Sequence, residues 1–298
     1  MKKTISKFLS MIMIAAMIVT VSAGFSKAEG VSAAEGITVY VTISVEGDLV
    51  LKQKSVEVTD INDDGALTLT DAFVCAHAKY YTGDNTDSGF AYGTGDWGTY
   101  VTKLWGNESG NFSYYVNDIS SMGLDDKVAG GDYINAFVFI DGVAYSDKYT
   151  FFNSHKIGVR NGASKTVKLS YAGFDENWAT VVSPLTNARI VINEKLTDYI
   201  TNAKGKVTLE FDKAGSYFVS AVSQDGSIIV PPSCLIFVQP KNGDTITVKD
   251  IDYTVTKLGT VKTGKKGRVT FSKSANEGKT APKTVDFAGV TYKVKVVD

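Results

Sequence analysis

Only two cysteines, Cys75 and Cys234, occur in 298 residues. That excludes a disulfide-built scaffold; a single bridge is the most the chain allows, and the expectation is two buried thiols in different domains. The two histidines, His77 and His155, give no basis for a zinc site or a histidine-dependent triad. There is no Gly-x-Ser-x-Gly, no His-Glu-x-x-His and no complete phosphate-binding loop, so no enzyme is expected. Charge of one sign is not in excess: 31 Lys/Arg face 32 Asp/Glu, and no nucleic-acid partner is expected. Long apolar runs are missing beyond the first two dozen residues, so the mature chain has no candidate membrane span.

What is present begins with a secretory signal. Lys2, Lys3 and Lys7 form a basic region, Phe8 to Val21 an apolar core of about fourteen residues, and Val21-Ser22-Ala23 or Val31-Ser32-Ala33 a cleavage site. The expected product is secreted and extracellular, with association to the cell wall as a further expectation. Abundant Tyr, Phe, Val and Thr, with 28 glycines and 5 prolines, describe β-rich secreted modules. Charge is unevenly spread. Residues 36–153 carry 17 Asp/Glu against 6 Lys/Arg; residues 241–298 carry 12 Lys/Arg against 6 Asp/Glu.

The sharpest chemical signal is Asp60-Ile61-Asn62-Asp63-Asp64-Gly65-Ala66-Leu67-Thr68-Leu69-Thr70-Asp71. Calcium wants six to eight oxygens, and a twelve-residue loop supplies them from positions 1, 3, 5, 7, 9 and 12, with glycine at 6 for the sharp turn. Here those positions are Asp60, Asn62, Asp64, the Ala66 carbonyl, Thr68 through a water, and Asp71, with Gly65 at the turn. The alternation of Val56 and Val58 before the loop and the helical spacing of Ala72, Phe73, Ala76 and Tyr80 after it predict strand, loop, helix.

The loop and its exit helix, including Thr70-Asp71, resemble one repeat of a type I dockerin. A second repeat is absent, since Asp84-Asn85-Thr86-Asp87-Ser88-Gly89 lacks the spacing. The wider segment 36–145 resembles a bacterial family related to the C-terminal domain of transcobalamin. Phe112-Ser113-Tyr114-Tyr115-Val116-Asn117-Asp118 and Gly131-Asp132-Tyr133-Ile134 carry that likeness. It implies a β-grasp-like fold, a sheet partly wrapping one helix, and a corrinoid as a ligand to consider. Trp97, Trp105, Tyr114, Tyr115 and Asn117 are the candidate ligand-lining residues; strand-spaced aromatics are more often core.

Further along, short strands separated by turn residues predict a β-sandwich. Gly205-Lys206-Val207-Thr208-Leu209 and Ala214-Gly215-Ser216-Tyr217-Phe218-Val219-Ser220-Ala221 resemble bacterial immunoglobulin-like surface modules. In the last segment Tyr253-Thr254-Val255-Thr256-Lys257-Leu258 is echoed by Tyr292-Lys293-Val294-Lys295-Val296-Val297, similar to a repeat unit of bacterial surface proteins.

The expected fold is therefore mainly β. A signal peptide at 1–34 precedes a β-grasp-like α+β domain with the calcium loop at 36–153. An immunoglobulin-like sandwich follows at 154–240 and a basic β module at 241–298. The expected function is a secreted, calcium-binding, non-catalytic surface or adhesion module whose partner is an extracellular protein or glycan. The alternatives are a corrinoid or other small-ligand binder and an accessory module of a polysaccharide-acting system. The basic tail adds anionic cell-wall polymers as a partner.

Overall fold

The computed structural model describes residues 35–83, 88–96, 98–177, 179–261 and 263–298. The expected signal peptide and Trp97 lie outside the described residues. Contacts divide the chain into two compact units: Ser55–Ile134 with the chain up to Val41, and Thr42–Lys54 with Asn135–Asp298.

The first elements follow the two-residue alternation of the sequence. β1 (Ile37–Val45) and β2 (Asp48–Val58) form a hairpin. Its two-residue turn, Glu46-Gly47, takes φ of 48° and 90°, the left-handed pair that matches strand twist. After the polar loop comes α1 (Leu69–Tyr80), the one helix among the described residues. Then follow β3 (Phe90–Gly95), β4 (Gly98–Leu104), β5 (Phe112–Val116), β6 (Ile119–Ser120) and β7 (Tyr133–Val138). Strands order as β2-β1-β7-β5-β6 in one sheet, and β3-β4 pair separately. In α1, Leu69, Ala72, Phe73, Ala76 and His77 are buried, the stripe that a half-exposed helix presents to its core. Phe73 sets its ring against Phe90 at 5.7 Å and Tyr114 at 6.2 Å.

The second unit holds a sandwich. Its strands are β8 (Lys148–Phe152), β9 (Lys156–Arg160), β10 (Lys165–Phe174), β11 (Thr180–Pro184), β12 (Ala188–Ile192), β13 (Lys195–Ile200), β14 (Lys206–Leu209), β15 (Gly215–Ser223), β16 (Ile229–Val230) and β17 (Cys234–Gln239). One sheet runs β11-β10-β8-β16 with β14 also on β10; the other runs β13-β12-β15-β17-β9. The opening strands are shared between the layers: β8 is antiparallel to β10, whereas β9 is parallel to β17. Tyr217, near the start of β15, donates its hydroxyl to the Lys213 carbonyl at 2.8 Å, the corner that ties consecutive strands of immunoglobulin-like sandwiches. Leu169, Ile190, Leu209, Val219 and Ile236 are among the residues of the core between the sheets.

A five-stranded sheet follows: β18 (Thr245–Val248), β19 (Ile251–Lys257), β20 (Gly267–Ser272), β21 (Thr284–Phe287) and β22 (Val290–Val297), ordered β18-β19-β20-β22-β21. β20 and β22 are parallel. Tyr253, Val255, Val269, Phe271, Val285 and Tyr292 form its inner face, so both tyrosines of the internal echo are buried in it. A Cβ at Gly267 would come within 2.4 Å of the Tyr292 ring; only glycine fits there.

Where the expected pattern and the structure differ, the elements are short or solvent-facing. The stretch 83–98 reads as loop from its Gly and Asp content, yet it contains β3. The stretch 146–153 reads as a linker or last strand of the preceding domain, and it contains β8, which pairs into the sandwich. β11 is exposed at four of its five positions and carries no alternation to read.

Candidate functional site

The loop Asp60–Asp71 is built by its own carboxylates. Asp63 and Gly65, at positions 4 and 6, have φ of 58° and 82°. These left-handed turns fold the chain back so that successive N–H groups point inward. Asp60 accepts from Asp64 N at 3.2 Å and Gly65 N at 2.8 Å. Asp64 accepts from Ala66 N at 2.8 Å and from the Asn62 amide at 2.8 Å. Asp71 closes the ring: its oxygens accept from Ile61 N at 3.0 Å and Thr68 N at 2.8 Å.

The loop's last third does two jobs at once. Thr68 is the N-cap of α1, and Thr68 with Asp71 forms a capping box, satisfying amides the helix start would leave orphaned. The same Asp71, 1% exposed, also takes the Thr68 hydroxyl at 2.7 Å. Leu67 and Thr68 are pinned from outside the loop: Val128 N donates to Leu67 O at 2.9 Å and Thr68 bridges Lys127. Loop, helix start and the 124–128 strap are one hydrogen-bonded assembly.

The donor set is all oxygen, which suits a hard cation such as calcium and no soft metal. Each carboxylate oxygen that accepts one N–H keeps a further lone pair for a cation. The side chains are turned toward loop amides in this structure, and no group of three or more Asp, Glu, His or Cys converges on a single point among the described residues.

Behind the helix lies an aromatic cluster. His77 is 2% exposed. Its Nδ1 lies 2.7 Å from the Phe73 carbonyl and donates to it, because Nε2 accepts from Trp105 N at 3.2 Å. Both ring nitrogens are thus engaged by the neutral ring, and burial pushes its pKa down to about 4. Trp105, at φ 50°, packs on His77 at 5.1 Å and on Tyr81 at 5.3 Å. Among the other candidate ligand-lining residues, Tyr114 contacts Phe73 and Tyr115 is buried at 8% exposure. Trp105 and Tyr114 sit with the helix, while Asn117 stands at a turn.

That turn explains a motif whose halves lie apart in sequence. Asn117 donates its amide to Asp132 at 2.8 Å and accepts from Tyr133 N at 3.0 Å. Asp132 in turn accepts from Ala129 N at 2.7 Å. The Tyr-Val-Asn and Gly-Asp-Tyr runs therefore meet, fixing β5 to β7. The two-residue turn at Asn117-Asp118, with φ of 51° and 66°, is a sequence signal for the β5–β6 hairpin only.

Both cysteines are free. Burial pushes the Cys234 thiol up to about 12, which leaves it without nucleophilic character at neutral pH.

No family model matches this chain and no curated protein matches it. Among solved structures, the D0-D1 domain of intimin aligns at 15% identity over 68% of this chain and 100% of its own, with a TM-score of 0.25. The N-terminal four Ig domains of Dscam1 isoform 7.44 align at 10% identity over 71% of this chain and 47% of their own, with a TM-score of 0.20. Superpositions of this quality define neither a fold family nor a function. No helix among the described residues is long and apolar enough to cross a membrane.

Proposed function

We propose that this chain is a secreted, non-catalytic binding module of the cell surface, with a β-grasp-like N-terminal region held by one calcium ion in the loop Asp60–Asp71. One observation carries the calcium reading. Three carboxylates, at Asp60, Asp64 and Asp71, accept from five backbone N–H groups of a loop with left-handed turns at positions 4 and 6. Asp60, Asn62, Asp64 and Asp71 side chains, the Ala66 carbonyl and Thr68 through a water would hold the ion. Bound calcium would supply the positive charge that three neighbouring carboxylates lack. The loop's tie to the α1 cap and to the 124–128 strap makes that neutralisation a gain in stability for the surrounding region.

The binding role follows from the sandwich and the basic sheet, which are platforms without a catalytic constellation; the partner is an extracellular protein or glycan. Calcium titration of the mature chain by calorimetry tests the metal. A single site with a dissociation constant on the order of 10⁻⁴ M or tighter is expected, abolished by Asp60→Ala. Absence of calcium heat, or unchanged binding by Asp60→Ala, overturns the site.

A further inference from the structure

The last sheet keeps its charge on one face. Inward go Tyr253, Val255, Val269, Phe271 and Tyr292. Outward, at the alternate positions, stand Thr254 on β19, Arg268 and Thr270 on β20, and Lys293 and Lys295 on β22. β20 and β22 pair so that Arg268 lies directly across from Lys293 and Thr270 across from Lys295. On the other side of β20, a bulge in β19 puts Lys257 opposite Arg268. Lys257, Arg268 and Lys293 thus form a row across three adjacent strands, on the order of 10 Å long at ordinary strand spacing. Lys295 lies one outward position further along β22.

Like charges directly across a sheet repel, and no ion pair among the described residues relieves this row. None of the four cations makes an ion pair among the described residues, in contrast to Lys273, whose ammonium is 3.0 Å from Asp298. The acids on the same face, Asp252 and Asp286, are each held by a cross-strand threonine, Thr247 and Thr291, at 2.6 Å. The sheet has accepted internal repulsion on a flat, threonine-rich surface and left it open to solvent.

We propose that this face binds a linear polyanion, a chain polymer bearing closely spaced phosphate or carboxylate groups. A row of cations on a flat surface matches repeated anionic groups and lacks the concavity that encloses a single small ion. A single-stranded nucleic acid is not the occupant this face fits. Binding of single strands relies on aromatic platforms for base stacking, and the aromatics of this sheet that pack in its core, Tyr253, Phe271 and Tyr292, point inward. This site is independent of the calcium loop.

The test uses the mature chain in EDTA, with fluorescent inorganic polyphosphate as the probe and polarisation as the readout. Binding is expected at low salt and its loss near 1 M salt, where the Debye length falls to about 3 Å. The triple variant Arg268→Gln, Lys293→Gln, Lys295→Gln should weaken it by roughly tenfold or more. A control triple removes the same charge from the sandwich, at Lys165→Gln, Lys204→Gln and Lys206→Gln, all exposed, and should bind as the parent does. Equal weakening in both triples would reduce the effect to net charge and overturn the proposal. So would no binding of polyphosphate, or displacement by orthophosphate at equal phosphate concentration.

Discussion

Two regions of this molecule treat like charge in opposite ways. In the loop Asp60–Asp71 three carboxylates are each turned to loop amides, and five backbone N–H groups answer them. In the last sheet Arg268, Lys293 and their neighbours are aligned in register, and none of them makes an ion pair among the described residues. Compensated charge shapes the chain that carries it. Uncompensated charge on a regular surface shapes nothing locally and faces outward. Between these extremes the sandwich has no buried charged side chain among the described residues, so it should be indifferent to calcium, to salt and to pH. That contrast can be broken at each of its terms.

The largest effect belongs to the apolar term. Leu169 is fully buried between the two layers, and Leu169→Ala should cost about 2–5 kcal/mol through lost burial and a residual cavity. Urea unfolding should show the same loss with calcium and with EDTA. A loss that calcium rescues would mean that the sandwich and the loop are one energetic unit.

Acid should act on the N-terminal region through His77. The folded chain holds its imidazole neutral down to about pH 4, whereas in the unfolded chain it protonates near its ordinary value of about 6.5. Between those values the unfolded state binds more protons. The stability this group confers is therefore complete above about pH 6.5 and falls away as the pH drops toward 4, by about 3 kcal/mol in all. Urea midpoints at pH 7.5 and pH 5 should separate for the transition that includes α1 and coincide for His77→Gln. A slope that survives in His77→Gln would assign it to other groups.

The smallest effect is at the sandwich corner. Tyr217→Phe removes one hydrogen bond to the Lys213 carbonyl and should cost about 1 kcal/mol, read as a modest fall in the urea midpoint with the transition slope unchanged. No change would show that the corner closes without that bond.

How much of this was legible in the sequence follows the same division. The hairpin of β1 and β2, helix α1 and strand β7 were readable because period two or a helical stripe, together with strong turn residues, agree over several positions. The turn of the loop was readable from chemistry alone, since Asp60, Asn62, Asp64 and Gly65 are residues that bond their own backbone or take left-handed conformations in tight turns. That Thr68 and Asp71 also cap α1 was there to be read as a capping box. By contrast, β8 and β11 were not legible. The strand β8 is ordinary in composition and is defined by its partner β10, far along the chain; β11 is an exposed edge with no inside to pattern. The cation row needed register: Lys293 and Lys295 share a face by period two, but only the parallel pairing of β20 with β22 brings Arg268 beside them. The partners of Trp105 and Asn117 were likewise hidden, because side chains many residues away determine them.

The central claim, that a cation in the acidic loop stabilises the N-terminal region and not the sandwich, is tested most directly by scanning calorimetry of the mature chain in EDTA and in millimolar calcium. At free calcium about a hundredfold above the dissociation constant, binding adds roughly 2.7 kcal/mol. The account predicts that calcium raises one melting transition by several degrees, that a second transition stays in place, and that Asp60→Ala abolishes the rise. Superimposable scans in EDTA and calcium would contradict it.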